Sequence, residues 1–179
     1  DLFAQAEHDD NAQSILVTKD IDFAKRVLER INQRLEDLDD GVTLKNSWTR
    51  YGCIIICETN KEIIKFINEI APEHLQLCTP DARDLSEQVK NAGAIFIGKY
   101  TPEAAGDYVV GTNHVLPTMQ TARFSSGLSV QSFMKRTSIV ECDKSNFNEI
   151  APSAIRIAEQ EGLISHANSL RARLNRKDD

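Results

Sequence analysis

Four short, almost wholly apolar runs constrain this chain most: Ser14–Thr18 (SILVT), Cys53–Cys57 (CIIIC), His74–Cys78 (HLQLC) and Ala94–Ile97 (AIFI). Each is too short for a helix of its own and lacks the alternation of a half-exposed strand, so each reads as a strand buried on both faces. Between the first two, Ala24, Val27, Leu28, Ile31, Leu35 and Leu38 recur at helical spacing and give one apolar stripe on a charged helix. Thr59 and Glu62 form a capping box that opens a helix running through Ile70. Thr79 as N-cap, with Pro80 at the first helical position, opens another that Gly93 closes. Buried strands separated by helices specify an α/β fold with a parallel sheet covered on both faces.

The pattern changes at Gly98. From there to Gly127 the sequence is rich in Gly, Pro, Thr, Asn and Ser and has little periodicity. A loop of that length is usually functional or disordered. Tyr100, Tyr108 and Phe124, with the Val and Leu residues among them, favour an ordered, site-forming loop. Beyond it, Arg136–Cys142 reads as one more strand. Asp143–Gly162 and Ser165–Arg176 read as a terminal helical pair, with Pro152 restricting where the first begins.

Composition narrows the partners. The 179 residues carry 21 basic and 27 acidic side chains, a net charge of −6, so nucleic acid is not expected as the main partner. The longest apolar run, CIIIC, is far too short to cross a bilayer. The chain opens on Asp1 with no charged-then-apolar leader, so no signal peptide is read, and a start other than Met leaves completeness open. Four cysteines are few for a disulfide scaffold, and Cys53, Cys57 and Cys78 sit in strand-like stretches. They read as reduced thiols of a cytoplasmic protein, with no second pair at zinc-like spacing.

With four histidines in the chain, their neighbours are informative. Gln5 and His8 are three apart, so on a helix they share a face and reach one ion; a solvated helix surface fits the same spacing. Glu73 and His74 follow Pro72 where a helix gives way to a strand. A carboxylate beside an imidazole is a usable acid–base pair, but neighbours on a strand face opposite ways, so joint action needs a turn. A loop Glu beside a half-buried His is the plainer reading. Gly106-Asp107 and Gly111-Thr112-Asn113-His114 place an oxygen and a nitrogen ligand in the long loop, where a surface turn is the alternative. His166, with Glu161 upstream, reads by itself as a surface residue at a helix start. The eight glycines never stand two apart, so no dinucleotide fingerprint exists. Gly106 and Gly111 have P-loop spacing without the Lys-Ser/Thr that must follow, and no GxSxG is present.

Taken together, these segments resemble the histidinol dehydrogenase family: DLFAQAEHD at the start, APEHL at 71–75, TPEAAGDYVVGTNHVLPT at 101–118, ARFSSGLSV and FMKRTS within 122–138, and EGLISHANSLRARL at 161–174. They occur in the family's order and cover nearly the whole chain. The resemblance implies an oxidoreductase that converts L-histidinol through L-histidinal to L-histidine with zinc and two NAD molecules, the last step of histidine biosynthesis. It implies that Gln5, His8 and Asp107 ligate zinc, with His166 supplied by the partner of a homodimer. Glu73 and His74 correspond to the catalytic pair, while Glu161, Asp107 and His114 line the substrate pocket with the zinc ligands and His74.

The same resemblance implies a parallel-sheet, Rossmann-like domain, incomplete here, over 1–127. Residues 128–179 are expected to form a strand-plus-helices segment exchanged between subunits. The family's chains are considerably longer, and this one matches only their carboxy-terminal part. Most NAD contacts, and a serine near the substrate, belong to the amino-terminal half. The expectation is therefore a fragment inactive by itself; the alternative is a zinc- and imidazole-binding domain without catalysis.

Overall fold

A computed structural model describes residues 1–38 and 41–174, which divide into two compact units, one ending at Met134 and one beginning at Lys135. The first unit is α/β. In chain order it contains α1 (Leu2–Ala6), β1 (Ile15–Thr18), α2 (Ile21–Glu36), α3 (Val42–Tyr51), β2 (Cys53–Ile56), α4 (Asn60–Ile70), β3 (His74–Leu77), α5 (Ala82–Ser86), β4 (Ala94–Ile97) and α6 (Glu103–Tyr108). All four expected strands form, and their pairing is parallel, but they are only partly buried instead of covered on both faces, with Ile56 and Ile95 exposed. They make two separate two-stranded pairs, however: β1 with β2 (Ile15 opposite Cys53) and β3 with β4 (His74 opposite Ala94).

Local chemistry sets the element ends. Asp20 caps α2 by accepting a hydrogen bond from the Phe23 N–H at 2.8 Å. The α2 stripe turns Ala24 and Ile31 inward. The Thr59–Glu62 capping box opens α4 as expected, and Ala71 closes it in a left-handed conformation, φ 48°. Beneath α4, β3, α5 and β4 lies a core of Ile67, Leu77, Ala82 and Leu85, flanked by Ile63, Ile64, Leu75, Val89 and Ile97. This core fixes the strand that begins at His74. Burying each of Ile67, Leu77 and Leu85 contributes about 1.5–3 kcal/mol.

Several expectations are corrected. The helix expected from Thr79 to Gly93 is only Ala82–Ser86. Asn68 draws the following chain away: its Oδ1 accepts from Lys90 N–H (2.6 Å) and Asn91 N–H (3.2 Å), so those donors leave the helix. The stretch from Gly98 to Gly127 is not all loop, since it holds α6 and a 3₁₀ turn at Thr121–Arg123. A helix of under two turns leaves no periodicity to read. α3 had no counterpart in the sequence reading. It packs on α1, where Phe3 meets Trp48 edge-on at 6.5 Å, and buried Ser47 donates to the Ala12 carbonyl at 2.8 Å.

In the second unit α7 (Lys144–Gln160) and α8 (Ile164–Leu174) pack through Ile155, Ala158 and Ala167, with Leu170 and Leu174 beside them. Gly162 makes the turn between them at φ 76°. An Arg171–Glu159 ion pair ties the two helices. Pro152 lies inside α7 and does not set its start: Asp143 caps the helix through Asn146 N–H, and the proline removes a single internal donor. The expected strand Arg136–Cys142 is absent; the segment is irregular, with Ile139 and Val140 exposed at 94% and 88%. No described strand pairs with it, and an isolated strand cannot satisfy its backbone. Of the expected second helix, Asn175 and Arg176 lie outside the described residues. Among the described residues no helix is long and apolar enough to cross a membrane.

Candidate active site

The centre of the site is the first residue of β3. After the left-handed turn at Ala71 the chain passes Pro72 and Glu73 and enters the strand at His74. The neighbouring segment clamps this approach: Gly93 N–H donates to the Pro72 carbonyl and Ala94 N–H to the Glu73 carbonyl, both at 2.9 Å. A Cβ at Gly93 would stand 2.6 Å from the Glu73 carbonyl oxygen, so only glycine permits that approach. Glu73 therefore precedes the strand and lies in the turn, not one step along the pleat. This removes the opposite-faces objection to its acting with His74.

His74 is held from three sides. Its Nδ1–H donates to Gln5 Oε1 at 2.9 Å, its Nε2 lies 3.6 Å from Glu103 Oε1, and its ring leans on Phe96 at 6.1 Å. Gln5 arrives from α1, which Ser14 tethers by donating its hydroxyl to the Leu2 carbonyl at 2.8 Å. Glu103 arrives from α6, which lies against Phe96 because residue 106 is glycine; a Cβ there would be 2.4 Å from the Phe96 ring. Thr112 also donates its hydroxyl to the Gly106 carbonyl at 2.9 Å. Thus three elements distant in sequence meet at one imidazole.

Beside it, His8, Glu103 and Asp107 bring one ligand atom each to within 4.8 Å of one another. His8 is exposed, Asp107 half-buried and Glu103 buried at 6% exposure. α1 ends at Ala6, so His8 lies in the turn beyond it and Gln5 on the helix itself, and the two reach different neighbours. A histidine nitrogen with carboxylate oxygens is a donor set suited to zinc and to harder divalent cations.

Burial dominates the electrostatics. It pushes the Glu73 carboxyl above the usual range, with Asp107 and Glu103 acting the same way and His74 and His8 opposing. All four neighbours act on Glu73, which places it electrically within the cluster. Burial likewise holds His74 below the ordinary histidine range, against the pull of Glu73 and Asp107. An imidazole of lowered and a carboxyl of raised proton affinity are chemically suited to proton transfer.

The structure thus brings Gln5, His8, Glu73, His74 and Asp107 together. His114 stands exposed in the loop, outside this cluster. Glu161 and His166 belong to the second unit: Glu161 caps the end of α7, and His166 lies exposed in the first turn of α8. Glu103 was not singled out from the sequence. Its signal was the spacing Glu103…Asp107 just after Pro102, which on a helix puts both carboxyls on one face.

A profile of the histidinol dehydrogenase family matches residues 1–174. Curated relatives named histidinol dehydrogenase include one from Gluconobacter oxydans, 48% identical over 176 residues, covering 98% of this chain and 41% of the relative. Another, from Rhodospirillum rubrum, is 49% identical over 177 residues, with 98% and 41% covered. The crystal structure of histidinol dehydrogenase from Elizabethkingia anophelis superposes with a TM-score of 0.84 at 33% identity, over 97% of this chain and 40% of that one. The chain spans about two fifths of the length of the curated relatives it matches.

Proposed function

The chain belongs to the histidinol dehydrogenase family, and on that footing we propose that it carries the metal-and-base centre of an enzyme oxidising L-histidinol through L-histidinal to L-histidine, in histidine biosynthesis. The observation that supports this most is the meeting of Gln5, His74, His8 and Asp107 at one place, from segments far apart in the chain.

In this reading Gln5, His8 and Asp107 hold zinc together with His166 from the second subunit of a homodimer. Two features support the fit. The ligand atoms of His8 and Asp107 already lie within 4.8 Å of each other, and Gln5 Oε1 keeps a second lone pair while accepting from His74. Zinc when bound supplies a fixed charge that holds the imidazole and amino nitrogens of histidinol. His74 takes the hydroxyl proton of the carbinol in the first oxidation. In the second, Glu73 draws a proton from the water that hydrates the aldehyde, and His74 again accepts one. His114, Glu161 and His166 complete the substrate contacts.

The described residues carry no recognisable NAD-binding motif, and NAD, which would accept the hydride in each oxidation, would be held by another part of the family's chain. No glycines stand two apart, so the dinucleotide fingerprint is missing from these residues. The cofactor's contacts are assigned to the remaining length of the family's chains, which in this reading also completes a Rossmann-like domain over residues 1–127. Residues 128–179 are read as the segment exchanged between subunits of a cytoplasmic enzyme with no nucleic-acid or membrane partner.

The shared site has a direct test. In a dimer completed by the family's remaining length, whose sites combine His74 of one chain with His166 of the other, mixing His166→Ala and His74→Asn chains restores one intact site in each mixed dimer. Random pairing by two-fold symmetry then gives about a quarter of wild-type histidinol oxidation. Activity no higher than that of the separate variants contradicts the shared site.

A further inference from the structure

Glu103 is a buried carboxylate that the fold itself does not require. It opens α6 without making a capping bond, and an exposed acid would interact as well with the helix start. Its side chain is 8% exposed, and its Oε1 has no hydrogen-bond partner among the described residues. His74 Nε2, at 3.6 Å, stands beyond hydrogen-bond reach. Asp107, four residues on, presents a second carboxyl on the same face of α6, and the two carboxyls share a side-chain hydrogen bond. Acids so placed away from water destabilise a fold; they persist where they are paired or bind a cation.

A third donor meets them from a distant segment. His8, in the turn after α1, brings a ring nitrogen to within 4.8 Å of carboxyl oxygens from Glu103 and Asp107. His8 is exposed, so a small rotation of its side chain meets little resistance. Imidazole nitrogen and carboxylate oxygens bind zinc at about 2.0–2.2 Å, and a cation between the carboxyls takes the place of the hydrogen bond that joins them. All three donors belong to the first unit, and the buried, unpartnered Oε1 of Glu103 is directed into the group they form.

We propose that Glu103 is a ligand of the metal, forming with His8 and Asp107 a three-donor zinc site contained within one unit of one chain. The inference rests on the proposed function for the place of the metal and is independent of the role of His74. It adds to Gln5, His8 and Asp107 a donor that the family resemblance does not assign.

The test titrates zinc alone against a chelating dye in the full chain, as wild type, Glu103→Met and Glu7→Gln. Glu103→Met nearly keeps the length of the side chain and removes both oxygens. It is expected to weaken zinc binding by at least about 100-fold, more than the loss of a residue that only supports a ligand. Glu7→Gln removes an exposed acid next to His8 and is expected to bind zinc as wild type does. Without zinc, Glu103→Met melts at or above the wild-type midpoint, because a buried acid is gone; added zinc raises the midpoint of wild type and not that of the variant.

A loss below about 100-fold in Glu103→Met overturns the proposal and makes Glu103 a support for other ligands. An equal loss in Glu7→Gln overturns it too, since the effect is then one of charge at a distance. If Glu103→Met fails to fold, Glu103→Gln, which keeps the shape, decides by the same titration; its failure to fold makes Glu103 a scaffold residue and overturns the proposal. Zinc held with full affinity by Glu103→Met and lost from His8→Ala sinks this inference alone and leaves the proposed metal centre standing. Zinc held through Glu103 by a chain without affinity for histidinol supports the inference and undoes the proposed function, so the two failures are distinct.

Discussion

In an enzyme completed by the remaining length of the family's chain, replacing His74 by Asn is expected to lower histidinol oxidation by about 10²–10⁴-fold, the usual contribution of a positioned acid–base group. The substitution is nearly silent for the fold. His74 begins β3, and its register with Ala94 is carried by backbone hydrogen bonds, while the core below it is built from Ile67, Leu77, Ala82 and Leu85. Its ring touches Phe96, Gln5 and Glu103, and the proposed ligands His8 and Asp107 are left in place. Zinc content at saturating metal and thermal midpoint therefore stay close to wild type while turnover collapses, even though Gln5 loses its His74 partner and zinc affinity falls by up to about 100-fold. An active His74→Asn enzyme removes the base from the mechanism, and a zinc-free one makes the residue structural to the metal site. Steady-state kinetics with zinc analysis on the same sample separates these outcomes.

The second large effect is on the metal. His8→Ala and Asp107→Ala each delete a donor from a group whose ligand atoms already lie within 4.8 Å of one another. Losing a residue that merely supports a ligand weakens metal binding by about 10–100-fold, so losing a ligand is expected to cost at least about 100-fold. Neither change removes apolar packing, since His8 is exposed and Asp107 half-buried. A competition titration of zinc against a chelating dye reads the affinity directly. Wild-type affinity in both variants contradicts the assignment of this cluster to zinc.

The parts of the fold legible in the sequence are those whose causes are local. Continuous apolar runs mark β1 to β4, and the Thr59–Glu62 box marks the start of α4, because each is decided within a few residues. α3 escapes such reading because Thr43, Asn46, Ser47 and Thr49 are weak helix formers, and what stabilises it is contact with α1 and the buried Ser47 hydroxyl. The division into two strand pairs is a tertiary matter that no apolar run records.

The site follows the same division. Gln5, His8, Glu73, His74 and Asp107 are visible as a family pattern, yet no spacing says that Gln5 reaches across the molecule to His74. Glu103 is not legible in the sequence, where a Glu after Pro102 is an ordinary helix-start acid; its burial marks it as part of the centre. For Glu161 and His166, the sequence pattern remains the basis on which they are assigned to the same centre.

The central claim is that this chain holds histidinol through a metal placed at Gln5, His8 and Asp107. Calorimetric titration of L-histidinol into the chain, once loaded with zinc and once stripped of it, tests that most directly. Saturable binding that disappears with the metal, and that His8→Ala also abolishes, is the predicted result. Binding of equal strength without zinc, or none with zinc bound, would contradict it.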